Sequence, residues 1–146
     1  MRHPAIALMS LVLVAAASAQ PALPPVEVFK SATCGCCTKW VGHLRQHGFR
    51  VTATDVPDLA AVRATHGVPD RVASCHTALV AGYVVEGHVP ASDVKKLLQV
   101  RPTVRGIATP GMPMGSPGME GAYVDPYDVV TFDRSGRVSV FTSHRR

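Results

Sequence analysis

Apolar and charged side chains alternate from Val26 to Lys30, the period of a strand with one buried face. From about Cys37 to His47 the period changes to that of a helix, with Trp40, Val41 and Leu44 on one side and Gly48 as a stop. Phe49 to Val56 alternates again and predicts a second strand. Pro57 and Asp58 start a second helix over Leu59 to Thr65, which Gly67 and Pro69 end. Thr77 to Val80 and Tyr83 to Glu86 flank Ala81-Gly82 and predict a hairpin. A third helix opens at Pro90 and Ser92-Asp93, runs through Leu97 and Leu98, and is closed by Pro102.

Thr109 to Gly121 breaks every period. Those residues hold three Pro, four Gly and three Met, a composition in which neither helix nor strand survives. Asp128 to Phe132 and Arg137 to Phe141 then flank Asp133-Arg134-Ser135-Gly136, a second hairpin that adds strands to the sheet. Strand, helix, strand, helix, hairpin, helix is the order of a thioredoxin-like α/β domain: a mixed sheet flanked by helices, here with a Met/Gly/Pro-rich loop and a C-terminal hairpin. The short connections suit a right-handed parallel crossover between the first two strands.

The first nineteen residues have a different pattern. Arg2 and His3 precede a small, apolar run from Ala5 to Ala17, and Ala17-Ser18-Ala19 is a small-x-small cleavage site. Residues 1–19 therefore read as an export signal, and residues 20–146 as one domain. The apolar run is too short to span a bilayer comfortably, and nothing later reads as a membrane span. Loss of Arg2 takes the formal net charge of +5 down by one, and the basic residues left are mostly scattered. With 5% aromatic residues, that is no nucleic-acid surface.

Export changes how the cysteines are read. An even number in an exported chain ordinarily means disulfides. Yet Cys34, Cys36 and Cys37 fall within four consecutive residues, where a bridge closes a tiny loop and stabilises little. Their place between a first strand and a first helix is chemical, because unpaired N–H groups at a helix start favour thiolate. Cys36 is surplus to a dithiol switch, whereas thiolates that bridge soft ions have a use for it. Cys75 supplies a fourth sulfur, just before the third strand, where a thioredoxin-like fold faces its helix-start cysteines.

The loop methionines bias the choice of metal. A thioether is a poor zinc ligand and a good one for cuprous copper. Met112 and Met119 are the better candidates, since each follows a glycine that lets backbone approach closely. Among the histidines, His88 at the hinge before the third helix and His76 beside Cys75 are within reach of such a site. His43 and His47 read as a solvated helix face, His66 as a helix-end residue and His144 as part of a fraying tail. Phosphate-loop, serine-hydrolase and zinc-protease motifs are absent from the sequence, as is the second C-x-x-C of a zinc ribbon.

In combination these segments resemble a family of periplasmic metal-binding proteins, formerly a domain of unknown function, that includes the copper-resistance protein CopG. The resemblance runs from Val26 to about Phe132. It is carried by Thr33-Cys34-Gly35-Cys36-Cys37 with Trp40, Gly48-Phe49, Ser74-Cys75-His76-Thr77, Gly82-Tyr83, Glu86-Gly87-His88-Val89-Pro90, Leu97-Leu98 and Pro110 to Glu120. It implies a thioredoxin-like fold in the periplasm and a cysteine-bridged cluster of several copper ions, held by Cys34, Cys36, Cys37 and Cys75 with Met112, Met119 and His88. It further implies a part in copper resistance, by interconverting copper oxidation states for periplasmic export machinery. Met114 is assigned no role. Two other readings share the fold: a periplasmic thiol-disulfide oxidoreductase using Cys34 and Cys37, and a passive metal buffer.

Overall fold

The computed structural model describes residues 22–145; the export signal expected over residues 1–19 lies outside them. In chain order the elements are β1 (Val26–Lys30), α1 (Gly35–Gln46), β2 (Val51–Asp55), α2 (Leu59–His66), β3 (His76–Val80), β4 (Tyr83–Glu86), α3 (Ala91–Val100), β5 (Gly106–Ala108), β6 (Tyr127–Phe132) and β7 (Val138–His144), with a 3-10 turn at Asp70–Val72. The strands form one mixed sheet in the order β2-β1-β3-β4-β5-β6-β7. β1 pairs parallel with β2 and antiparallel with β3; β4 pairs antiparallel with β3 and parallel with β5.

Side-chain parity divides the core between the two faces of the sheet. Val28, Ala78, Val85, Ile107 and Val129 share one cluster with Trp40, Val41 and Leu44 of α1 and with Val94 and Leu97 of α3. Val84, Ala108, Val130 and Phe132 point the other way and meet Val68 and Val72, from the segment after α2. Covered on both faces, the central strands lose the polar half of their alternation. That is why Tyr83-Val84-Val85-Glu86 reads as an almost unbroken apolar run.

The element boundaries follow from local chemistry. α1 buries Cys37, Trp40, Val41 and Leu44, one stripe at helical spacing, and Gly48 ends it at φ +92°. It starts at Gly35, earlier than the apolar stripe implies, so Cys36 and Cys37 stand inside its first turn. Asp58 caps α2 by accepting from the Ala61 amide at 3.0 Å. Ala81 and Gly82 both adopt positive φ in the β3–β4 turn, as a tight two-residue hairpin requires. β5 was not foreseen: three residues carry no readable period. Its Gly106 passes so close to β4 that a Cβ there would lie 2.1 Å from the Val84 carbonyl oxygen.

Two histidine readings need correction. His144 lies in β7, stacks on Tyr127 and bonds the buried Asp93 carboxylate at 2.7 Å, so that end of the chain is pinned against α3. His43 is half-buried, and its Nε2 accepts from the Ala91 amide at 3.0 Å, capping α3, which has no side-chain cap of its own.

That cap needs a neutral ring. Burial, and then the neighbouring His47, hold the His43 imidazole below its ordinary value of 6.5, with Glu120 acting the other way. A base with a lowered folded pKa adds stability that is present above its unfolded value and lost as pH falls below it. His43→Gln keeps an acceptor that does not titrate. Urea melts from pH 7 to pH 5 are expected to show a shallower loss of stability in the variant than in the parent chain; equal slopes would refute the cap.

Candidate metal centre

Three connections meet at one end of the sheet. The turn after β1 delivers Cys34 to the start of α1, where Cys34 is the N-cap residue and makes no side-chain cap. The segment entering β3 brings Cys75 and His76, and the segment leaving β4 brings Gly87 and His88. One ligand atom from each of Cys34, Cys36, Cys37 and Cys75 lies within 4.8 Å of the others, and so does one from each of Cys75, His76 and His88. Cys75 belongs to both groups. It joins four sulfurs to two imidazoles.

Cys34 and Cys37 are joined by a disulfide, with their Cα atoms 5.3 Å apart, whereas Cys36 and Cys75 are free. Residues i and i+3 at a helix start fall within bridging range. The bridge closes a very short loop, so its contribution to stability is small, as the spacing implies. The Cys36 Sγ lies 3.4 Å from the Cys34 Sγ and 4.0 Å from the Cys75 Sγ. The fully buried Cys37 Sγ packs 3.4 Å from the Cys75 carbonyl oxygen.

Hydrogen bonding sets the state of the histidines. The His88 Nδ1 donates to the Pro117 carbonyl at 2.8 Å, which leaves Nε2 as a lone-pair donor 2.9 Å from the Cys75 Sγ. Burial pushes the Cys75 thiol up to about 12, helped by the proximity of Cys36, and burial lowers His88. Both shifts favour the uncharged pair of thiol and imidazole. His76 is fully buried, 3.4 Å from the Cys75 Sγ through Nδ1, with its ring against Trp40. Burial, then His88, bring it down to about 3, although the Gly87 backbone works weakly the other way. Its Nε2 has no hydrogen bond of normal geometry among the described residues.

The loop after β5 closes over this cluster at two points. The Gly111 amide donates to the Ala73 carbonyl, and the Ser74 hydroxyl donates to the Gly111 carbonyl. Gly118, at φ +88°, is pressed so closely on α1 that a Cβ would meet the Cys36 carbonyl oxygen at 2.7 Å and the His88 Nδ1 at 3.3 Å. Met112 and Met119 each follow one of these anchors; Met112 is 51% exposed and Met119 is half-buried. Met114 faces Gly121, where a Cβ would lie 2.1 Å from its Cε.

One residue that matters here was not singled out from the sequence. Glu86 is fully buried, and its carboxylate accepts from the Ser74 amide at 2.8 Å and from the Thr77 hydroxyl at 2.6 Å. It therefore clamps the residues on either side of Cys75-His76. Burial raises its pKa, while the Thr77 and Ser74 hydrogen bonds and the charge of Arg63 lower it. The available signal was a lone acid ending an apolar strand, which costs too much unless something inside needs it.

Two solved structures of the copper resistance protein CopG, Form 2 and Form 1, match this chain over 84% of its length and 99% and 98% of theirs. Each is 46% identical to it, with TM-scores of 0.80 and 0.79. The chain belongs to the CopG family. A family model described as a protein of unknown function, DUF411, also matches residues 72–119. Within the CopG family chain described here, that stretch carries Cys75, Glu86, His88, Met112 and Met119, while Cys34, Cys36 and Cys37 precede it. No curated protein matches the sequence.

Glu86→Leu replaces the clamp by an apolar side chain and leaves the Ser74 amide and the Thr77 hydroxyl buried without an acceptor. Each such group costs about 1–3 kcal/mol. Urea unfolding is expected to register a loss of at least that size, and a loss below about 0.5 kcal/mol would remove Glu86 from its clamping role.

Proposed function

We propose that this chain is an exported, periplasmic copper-binding protein on a thioredoxin-like domain, which holds several cuprous ions on a cysteine-bridged cluster and contributes to copper resistance. The convergence of Cys34, Cys36, Cys37 and Cys75 within 4.8 Å carries the reading. Such a set suits a soft monovalent ion, because thiolates bridge and no hard oxygen donor competes within it. His88 is poised to join through Nε2, its other nitrogen being committed to Pro117. Met112 and Met119 complete the ligand set in this reading, supported by the docking of their loop on Ala73 and Cys36. The strand order β2-β1-β3-β4 with α1 after β1 supports the thioredoxin-like assignment.

Loading requires two changes in the protein. The Cys34–Cys37 bridge takes up two electrons and two protons from a thiol reductant and opens to two thiols. Cys75 then gives up the proton that burial holds on it, so uptake releases protons and strengthens as pH rises. Bound copper supplies one-electron redox chemistry, which makes interconversion of cuprous and cupric ions for periplasmic export machinery the proposed cellular role.

A thiol-disulfide oxidoreductase is the second reading, and the Cys34–Cys37 bridge with a free Cys36 beside it favours it. Stoichiometry separates the two. In an anaerobic titration of the fully reduced chain, more than one cuprous ion per chain is expected, and Cys36→Ser should lower that count with the fold intact. A single ion, or a count unchanged in Cys36→Ser, would sink the cluster. Redox cycling of the loaded protein, followed by absorbance, distinguishes an active role from a passive buffer.

The donor set also predicts selectivity. Zinc at equal concentration should fail to displace cuprous copper, measured by metal analysis after desalting. Equal competition would refute a part for the methionines.

A further inference from the structure

The opposite end of the sheet carries a second convergence of charge. Arg101, Arg105 and Arg134 line one cavity of about 560 Å³ at the β3–β4 turn, and among the described residues no carboxylate lines it. β3 separates the two ends. Val80 pairs with Tyr83 at the arginine end, while His76 begins the strand at the cysteine end. Four steps of strand set them about 13 Å apart.

None of the three guanidiniums is neutralised by an acid among the described residues, and Arg105 is the one held in place by two bonds. Arg105 donates through Nε to the His66 carbonyl at 2.6 Å and through Nη1 to the Gly82 carbonyl at 3.1 Å. Those bonds fix its plane and leave Nη2 without a partner among the described residues. Arg101 uses only Nε, toward the Leu98 carbonyl at 3.3 Å. Arg134 makes no hydrogen bond or ion pair among the described residues. The adjacent acid, Asp133, is spent on the Ser135 and Arg137 amides and on the Arg137 guanidinium. Burial, and then the charge of Arg134, push Arg105 below its ordinary value, so these two guanidiniums repel each other as they stand.

Two fixed backbone turns border the same cavity. Ala81 and Arg101, at φ 48° and 49°, are the non-glycine residues with positive φ among the described residues, and both line it. The β3–β4 hairpin requires that conformation of Ala81, and Arg101 adopts it as the left-handed C-cap of α3. Tyr83, Leu98 and Val104 supply an apolar wall beside the arginines.

We propose that this cavity binds a small organic anion carrying two or more negative charges on a short carbon frame, a polycarboxylate or a phosphate ester. Guanidinium forks match carboxylate and phosphate oxygens in pairs, and a multivalent anion relieves the repulsion that the empty cluster carries. The apolar wall takes the carbon frame, which inorganic phosphate lacks. The proposal is independent of copper binding, because none of its residues belongs to the cysteine end.

Citrate, glycerol 2-phosphate, inorganic phosphate and acetate, titrated into the metal-free chain in 150 mM NaCl and followed by amide chemical shifts, test it. Citrate or glycerol 2-phosphate is expected to saturate at one per chain, moving the Ala81, Gly82 and Val104 amides and leaving Cys75 unmoved; whichever saturates identifies the anion class. Arg101→Asn with Arg134→Ala removes two charges from exposed positions, Asn being at ease at positive φ, and should weaken binding at least tenfold. Absence of saturation by both organic probes, an affinity unchanged in the double variant, or equal binding of inorganic phosphate or acetate would overturn the proposal.

Discussion

A carboxylate buried between two strands holds the cysteine end of this protein together. Glu86 ends β4 inside the core, and both of its oxygens are used on the chain that enters β3. Arg63 grips the same chain as well, donating to the Ser74 carbonyl at 3.2 Å. Between those grips the backbone has little freedom, so the direction of Cys75 is fixed before any metal arrives. Gly87 contributes a close approach: at φ +72°, a Cβ there would meet the Ser74 hydroxyl oxygen at 2.4 Å and the Thr109 carbonyl at 2.8 Å. Strand, hinge and loop are thereby stacked at one point.

The sulfurs so gathered are not equivalent. Cys34 and Cys36 stand at a helix start that has no side-chain cap. Cys75 comes from the opposite wall, and burial keeps its proton in place beside neutral His88. A thiol of that kind is a slow nucleophile for disulfide exchange, since it is the thiolate that attacks. A soft cation must displace the same proton, but it cancels the thiolate charge as it binds, so the burial that penalises a bare thiolate penalises the metal-bound sulfur less. The asymmetry therefore favours metal capture over exchange at Cys75, even though the Cys34–Cys37 bridge alone is compatible with either chemistry.

Most of the sheet was legible in the sequence because its information is local. Val26–Lys30 and the Ala81-Gly82 hairpin follow from period and turn chemistry, and the Met/Gly/Pro loop follows from composition. What escaped was set by tertiary contact. The start of α1 at Gly35 precedes its apolar stripe, and β5 is held by its neighbours rather than by its own three residues. His144 reads as a frayed tail until Asp93 of α3 is brought to meet it. The cysteines themselves were readable, since sulfur is scarce and its spacing informative; the clamp was not, because a lone acid ending an apolar strand hints at a buried role without naming the partners that Ser74 and Thr77 turn out to be.

A sheet covered on both faces by apolar layers can present chemistry only at its ends and edges. Here α1 and α3 occupy one face, and Val68 and Val72 with their segment cover part of the other. Polar groups that must meet a ligand are consequently driven to where strands stop. At one stop the chain collects sulfur and imidazole, at the other guanidinium, with β3 and β4 running through both. Those strands are buried and short, and the hairpin turn between them is fixed by two positive-φ residues. A rigid spacer of this kind holds the cysteine cluster and the arginine-lined cavity at opposite ends of the same two strands.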